Sequence, residues 1–257
     1  MSEFPKMFDL TGRRALITGS SRGIGLALAE GLLSAGCEIV LNGRDADRLG
    51  QAAEKLRGAG GTVGEAVFDV TDPDAVAEGV GRVESGIGAI DILINNAGMQ
   101  FRTPLQDYPH DKWRELMRTN IDSDFLVGQA VARHMIGRKS GKIINICSVQ
   151  SELGRPGIAP YAATKGALKM LTKGMCIDWA GFGIQVNGIG PGYFRTELNQ
   201  ALVDDKEFSA WLEKRTPAGR WGDVKELTGA AIFLASDASS FVNGHILYVD
   251  GGITASL

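Results

Sequence analysis

Tyr161 and Lys165 stand at i and i+4 in the run Tyr161-Ala162-Ala163-Thr164-Lys165, and one helical turn brings both side chains onto the same face. An ammonium beside a phenol favours the phenolate and so makes the hydroxyl a usable acid near working pH. A tyrosine so poised can give a proton to a ketone as a hydride arrives, or take one from a secondary alcohol in reverse. Ser148 comes earlier, after the apolar run that ends at Cys147; a hydroxyl at a strand end can hydrogen-bond the substrate oxygen. Asn120 lies in a helical segment upstream, where its amide can tie a water chain to Lys165. Tyrosine and lysine at this spacing occur by chance in many helices, so the pair acquires meaning only from its surroundings.

Such chemistry needs a hydride carrier. The first β-rich run leads directly into Thr18-Gly19-Ser20-Ser21-Arg22-Gly23-Ile24-Gly25, followed by a helical pattern from Leu26. Strand, glycine turn and helix in that order bind phosphate: Gly19 permits the tight turn, Gly23 lets backbone N–H groups approach a pyrophosphate, and Gly25 lets the helix pack on the strand. Ser21, Arg22 and Ile24 complete the loop. The spacing is GxxxGxG rather than GxGxxG, and a glycine-rich turn alone occurs in many α/β proteins. NAD enzymes place a carboxylate at the end of the second strand for the ribose hydroxyls, whereas Leu41-Asn42-Gly43-Arg44 has none. Arg44 can instead pair with a 2′-phosphate, with Arg22 as a second cation nearby, so the expected cofactor is NADP(H); otherwise Arg44 is a solvated turn residue beside Asp45. Asp69-Val70 and Asn95-Asn96-Ala97-Gly98 close the third and fourth strands, whose carboxyl ends line the ligand crevice of an open α/β sheet. Asp69 there meets the adenine amine or caps the next helix, and Asn96, Ala97 and Gly98 border the adenosine ribose.

Seven β-rich runs, at 15–17, 38–41, 62–69, 90–94, 142–147, 184–189 and 245–249, alternate with helical patterns over 26–34, 48–57, 74–85, 113–135, 162–179 and 224–235. This alternation predicts parallel pairing with right-handed crossovers: a Rossmann-type doubly wound seven-stranded parallel sheet in three αβα layers. No repeat, low-complexity tract or linker interrupts it, so a single dinucleotide-binding domain is expected over 1–257. Segment 192–223 is helix-like but poorly patterned, and is expected to be a substrate loop or lid inserted in that domain.

Of the 257 residues, 44% are apolar and 22% charged, and 27 basic against 30 acidic side chains leave a net charge of −3, ordinary for a globular chain. No basic cluster is denser than Arg13-Arg14 or Arg138-Lys139, so nucleic acid is not an expected partner. Residues 1–9 carry Glu3 and Asp9 and lack the apolar run of a signal peptide. No stretch approaches the ~20 apolar residues that span a bilayer, so no membrane association is expected. Cys37, Cys147 and Cys176 are far apart and odd in number, which fits buried thiols in a reducing compartment and hence the cytoplasm. His110, His134 and His245 are dispersed, show no metal-ligand spacing, and imply no metal.

With these pieces in order, the chain resembles the short-chain dehydrogenase/reductase family over essentially its whole length. The resemblance rests on the 18–25 loop, Asn95-Asn96-Ala97-Gly98, Asn120, Ser148, Tyr161 with Lys165, and Pro191-Gly192 followed by Thr196. It implies that Asn120, Ser148, Tyr161 and Lys165 are catalytic. It also implies that Lys165 holds the nicotinamide ribose and that Pro191, Gly192 and Thr196 contact the carboxamide. Within the family three strings are similar to those of gluconate 5-dehydrogenases, also called 5-keto-D-gluconate reductases: Asn145-Ile146-Cys147-Ser148-Val149-Gln150-Ser151-Glu152-Leu153, Lys169-Met170-Leu171-Thr172-Lys173-Gly174-Met175-Cys176, and Arg215-Thr216-Pro217-Ala218-Gly219-Arg220-Trp221-Gly222-Asp223. That similarity implies a sugar-acid substrate, and polar residues stand where a fatty acyl pocket would be apolar.

A sugar acid needs a cation for its carboxylate. Arg102 is the first candidate, ahead of Arg155 and Arg195, although each also fits an ordinary surface charge. Gln150 and Glu152 can bind sugar hydroxyls or serve the loop structurally, beside Ser148 and Tyr161 at the substrate oxygen. Other ketones stay open, from a free polyol such as mannitol or xylitol to a 3-oxoacyl thioester. So does a non-catalytic NADP-sensing or scaffold protein, though a mere binder needs no proton donor at the hydride site. Apolar and small residues over 113–135 and 162–179 exceed what one sheet face needs; family members pair these helices across two-fold axes, so the resemblance implies a homotetramer.

Overall fold

Successive residues of a strand point to opposite faces of a sheet. In β1 (Arg14–Ile17), Ala15 and Ile17 accordingly enter one apolar core and Leu16 the other. A strand buried on both faces reads as an unbroken apolar run, which is why the central strands were visible as runs rather than as alternations. The computed structural model describes residues 6–256; Glu3 and the two ends of the expected 1–257 domain lie outside the described residues. The other strands are β2 (Glu38–Gly43), β3 (Val63–Val67), β4 (Ile92–Asn95), β5 (Gly141–Ile146), β6 (Ile184–Pro191) and β7 (Ile246–Val249). They form one sheet in the order β3-β2-β1-β4-β5-β6-β7, and every pair is parallel.

The helices are α1 (Gly23–Ser34), α2 (Ala46–Gly58), α3 (Pro73–Arg82), α4 (His110–Met117), α5 (Ser123–Arg138), α6 (Ala159–Trp179), α7 (Gln200–Asp204), α8 (Lys206–Arg215) and α9 (Thr228–Ala235). Leu28 and Leu32 of α1, Leu49 and Leu56 of α2 and Leu234 of α9 fill the core on one side of the sheet. Val76 and Val80 of α3, Val127, Val131 and Met135 of α5 and Met175 of α6 fill the other. The result is the expected three-layer αβα doubly wound sheet. Its winding reverses between β1 and β4, where a crevice opens at the carboxyl ends.

Differences from the sequence expectation fall at element ends and at two helix irregularities. The helix expected over 113–135 starts earlier and is interrupted by a π turn, Arg118–Asp122, between α4 and α5. The helix expected to 85 passes into a π turn at Val83–Ile87 and stops at Gly88, whose φ of 136° suits only glycine. In segment 192–223, α7 and α8 build a small separate cluster with Val149, Leu212, Trp221 and Ile253 at its centre. Its short helices bury one apolar edge each, too little for a periodic pattern. Among the described residues no helix is long and apolar enough to cross a membrane.

One core residue is chemically out of place. Lys142 of β5 is only 5% exposed, and its ammonium donates to Ser239 Oγ at 3.3 Å. Burial, and then the like charge of Arg13, push its pKa down to about 8 from the usual 10.5, against the pull of Asp237. A lysine whose folded value lies below its unfolded value weakens the fold at neutral pH, and the cost fades as pH rises from about 8 through 10.5. Lys142→Met is therefore expected to raise stability by roughly 1–3 kcal/mol at neutral pH, with the gain shrinking toward pH 10.5. Denaturant melts at several pH values read this directly.

Candidate active site

The glycine loop leaves β1 at Thr18, and α1 begins at Gly23 rather than near Leu26. Gly19 and Gly23 have φ of 60° and 59°, left-handed conformations that glycine alone adopts without strain. A Cβ at Gly19 would stand 2.9 Å from Ala97 Cα, whereas one at Gly23 would meet nothing within 4 Å. Gly23 thus keeps open the space in front of the loop. Asn96 fixes the turn from the neighbouring strand: its Nδ2 donates to Thr18 O at 2.9 Å and Gly19 O at 3.0 Å. In return Thr18 Oγ1 accepts from Asn96 N and Ala97 N at 2.9 and 3.0 Å. Arg22 occupies the N-cap of α1 in an extended conformation and makes no side-chain cap bond. The helix's first N–H groups are left without a side-chain cap, which suits an anion. Ser21 borders Gly43 at the end of β2, and Ile24 packs on the core beneath.

Arg44 follows β2, and its Nη1 lies 3.4 Å from Asp69 Oδ2. Asp69 Oδ1 also accepts from Thr71 N and Thr71 Oγ1, each at 2.8 Å. Burial works to raise the Asp69 pKa, but the Thr71 bonds and Arg44 outweigh it and hold the carboxyl below its usual value. The capping alternative for Asp69 is not realised: Asp72 caps α3, accepting from Asp74 N and Ala75 N. Val70 is buried in the core under α3. Arg22 turns away from Arg44 to pair with Glu197 at 2.9 Å, joining the glycine loop to segment 192–223.

Tyr161 and Lys165 occupy the first turns of α6, with Lys165 Nζ 5.8 Å from the Tyr161 ring centroid. Lys165 is buried and donates to Ile146 O, near the end of β5, at 2.6 Å. Ser148 is also buried, and its Oγ accepts from Gln150 N at 3.1 Å, capping the 3₁₀ turn Val149–Ser151. Asn120 lies in the π turn, an irregularity that often marks functional sites. Its Oδ1 accepts from Met99 N at 2.8 Å, while Nδ2 donates to Met99 O at 2.9 Å and Thr164 Oγ1 at 3.3 Å. Asn120 therefore bonds Thr164, the neighbour of Lys165 in α6, directly. Pro191 ends β6, and a Cβ at Gly192 would stand 2.7 Å from Asp250 Cα. Thr196 accepts from Asn199 N at 3.3 Å and caps the turn Glu197–Asn199. Gly98 lies beside Asn120.

Ser148 and Tyr161 share a cavity with Gln100, Arg102, Gln150, Arg155, Gly192, Tyr193, Asn199 and Leu202. Arg102 donates to Gln100 Oε1 at 2.9 Å and Asn199 Oδ1 at 3.1 Å. Arg155 lies over the Phe208 ring, 5.2 Å from its centroid. Burial, and then the like charge of Arg155, lower the Arg102 pKa. The Nε atoms of both arginines and the Oε1 of Gln150 are buried without a hydrogen-bond partner, which is costly unless a ligand supplies one. Two cations and a free amide oxygen thus face the hydroxyls of Ser148 and Tyr161, an arrangement for an anionic, hydroxylated molecule.

Two expected substrate residues stand elsewhere. Glu152 is not among the residues lining this cavity; it pairs with Lys169 and accepts from Tyr248 OH at 2.9 Å. Arg195 is exposed and outside the cavity wall. Tyr193, Gln100 and Asn199 went unread in the sequence, although Tyr193 directly follows Pro191-Gly192 and Gln100 directly precedes Phe101-Arg102. Among the described residues no group of His, Cys, Asp and Glu could hold a metal ion.

Comparison with known proteins agrees with this geometry. A family model described as enoyl-(acyl carrier protein) reductase matches residues 19–254. A gluconate 5-dehydrogenase of Gluconobacter oxydans is 62% identical over 98% of this chain and 99% of its own. A 5-keto-D-gluconate 5-reductase of Escherichia coli K12 is 54% identical over 98% and 99%. The crystal structure of a gluconate 5-dehydrogenase from Burkholderia cenocepacia J2315, in complex with NADP and tartrate, superposes with a TM-score of 0.97 at 62% identity, covering 98% of this chain and 99% of that one.

The loop's dependence on glycine is open to test at Gly25. A Cβ there would fall 2.5 Å from Asn96 Nδ2 and 2.6 Å from Gly19 O, striking the clamp and the turn together. Gly25→Ala is expected to cost roughly 1–3 kcal/mol, seen as a lower melting temperature. An unchanged melt would show that the loop yields freely.

Proposed function

The chain belongs to the short-chain dehydrogenase/reductase family, and on that premise we propose that it is an NADP-dependent oxidoreductase interconverting D-gluconate and 5-keto-D-gluconate. The observation that carries the substrate is the cavity lined by Ser148, Tyr161 and two half-buried arginines whose buried Nε atoms have no hydrogen-bond partner.

The cofactor fits the crevice. Open space before Gly23 and the uncapped start of α1 suit a pyrophosphate. Arg44, mostly exposed and held only loosely by Asp69, is free to take a 2′-phosphate, and Arg22 can join it by leaving Glu197. Asp69, Val70, Asn96, Ala97 and Gly98 border the adenosine, and Pro191, Gly192 and Thr196 the nicotinamide. When bound, NADPH supplies the hydride that reaches the ketone carbon, and NADP+ accepts it in the reverse direction.

The protein's own work is proton transfer and placement. Tyr161 OH delivers a proton to the carbonyl oxygen in reduction and withdraws it from the alcohol in oxidation. Ser148 Oγ hydrogen-bonds the same oxygen and fixes it within reach. Lys165, anchored on Ile146 O, holds its positive charge by the phenol ring and binds the nicotinamide ribose. Arg102 and Arg155 take the carboxylate, which sets the orientation of the chain of hydroxyls, and Gln150 accepts from one of them.

Segment 192–223 serves as the lid over this cavity. Phe125, Met170 and Ile177 leave large apolar side chains exposed on α5 and α6, and these faces join copies into the homotetramer. Cys37 and Cys147 are buried, with thiols pushed up to about 12 and about 11 chiefly by burial, in keeping with a cytoplasmic protein that forms no disulfide.

Initial rates of NADPH oxidation with 5-keto-D-gluconate test the reading. Tyr161→Phe is expected to lower kcat by about 10²–10⁴-fold with an unchanged melt; turnover near the parent rate would sink the proton-donor assignment. Arg102→Ala is expected to raise KM for 5-keto-D-gluconate by roughly 10–100-fold while sparing kcat. An uncharged ketose should show no such change in KM, and equal losses for both would remove carboxylate recognition from Arg102.

A further inference from the structure

Aromatic rings gather where segment 192–223 meets the cavity, and one of them touches a cation. Phe208 of α8 stands 5.8 Å from Tyr193, 5.3 Å from Trp211 and 6.2 Å from Trp221, centroid to centroid, tilted against each. Its backbone is fixed as well: Asp205 caps α8 by accepting from Glu207 N and Phe208 N, each at 3.0 Å. The next residue, Ser209, ties the helix to the same rings, its Oγ accepting from Trp221 Nε1 at 3.1 Å. Phe208 is half-buried and is not among the residues lining the cavity. Over it lies the guanidinium of Arg155, which does line the cavity, with Cζ 5.2 Å from the ring centroid.

Arg155 needs such a support. It lies in the loop between the turn Val149–Ser151 and α6, and none of the residues lining the cavity is acidic. Its Nε is buried without a hydrogen-bond partner. The Tyr193 hydroxyl is within its reach, but that group is neutral and also accepts from Gln150 Nε2 at 3.3 Å. An arginine held by so little samples several rotamers, and a carboxylate that binds it must first order it. A planar guanidinium stacks on an aromatic face, and the ring quadrupole attracts its charge most where water is excluded. An aliphatic side chain in place of Phe208 would fill much of the same space without that attraction.

We propose that Phe208 is a positioning residue: its ring holds the Arg155 guanidinium in the cavity, so that segment 192–223 completes the subsite for the substrate carboxylate. This rests on Arg155 being a carboxylate ligand. The ring acts on the anionic end of the substrate alone, away from the reacting oxygen and the coenzyme.

The test is initial rates of NADPH oxidation over a range of 5-keto-D-gluconate concentrations, compared for the parent, Phe208→Leu, Phe208→Met, Arg155→Gln and the double variant of Phe208→Leu with Arg155→Gln. Each ring-free variant is expected to raise KM for 5-keto-D-gluconate by roughly three- to tenfold, with kcat and KM for NADPH unchanged. A ring that served only the packing of α8 would move those two constants as well. Arg155→Gln alone should raise KM for the ketone by roughly 10–100-fold. Adding Phe208→Leu to it should then raise KM by less than about twofold, because the two side chains act as one unit. Parental KM in both ring-free variants, a fall in their kcat, an undiminished effect of Phe208→Leu beside Arg155→Gln, or failure of both ring-free variants to fold would overturn the proposal. An unchanged KM in Arg155→Gln would instead sink the reading on which it rests.

Discussion

A lysine is long, flexible and strongly hydrated, and burying one needs a reason and a partner. The bond from Lys165 Nζ to the Ile146 carbonyl supplies the partner at 2.6 Å. It ties the first turns of α6 to the end of β5, and so fixes the ammonium beside the Tyr161 ring while Ser148 follows two residues after the accepting carbonyl. Strand end, serine turn and helix then move as one body. Ser151 Oγ adds a second tie by donating to Lys165 O at 2.8 Å. Remove the strand's grip and the charge next to the phenol becomes an average over rotamers, with its field correspondingly diluted.

The same constraint explains why the site lies where it does. Parallel strands bring all their carboxyl ends to one edge, and reversal of the winding between β1 and β4 leaves that edge uncovered at its middle. The glycine loop follows β1, the Asn96 clamp follows β4, Ser148 follows β5, and Gly192 follows β6. Each functional segment needs only one or two residues beyond its strand to reach the crevice. Asn120, like Tyr161 and Lys165, comes from a helix instead, and the π turn widens its helix locally so that its amide reaches Met99 and Thr164 at once.

Much of this was legible in the residues because local chemistry and spacing agreed. The strand-to-glycine-loop transition, the alternation of runs and patterns, and Tyr161 with Lys165 all depend on short-range order, and the structure places them as expected. Helix starts were read late at α1 and α6 because glycine, alanine and proline there carry no apolar period, although backbone geometry admits them to the first turn. What could not be read depended on tertiary partners. Glu152 and Gln150 are both polar and two residues apart, yet one is claimed by Lys169 and Tyr248 while the other faces the cavity with a bare oxygen. Arg155 ranked below Arg102 by position in the chain, and only the fold brings the two together. Asp69 and Asp72 competed for one helix cap, and three residues of separation decided for Asp72.

The cluster formed by Val149, Leu212, Trp221 and Ile253 belongs to neither of the two large cores, and segment 192–223 reaches those cores through Phe194, which is buried beside the residues of β1 and α1. Yet Val149 is the immediate neighbour of Ser148. One apolar cluster consequently braces both the segment that walls the cavity and, through Val149, the serine hydroxyl that opens into it.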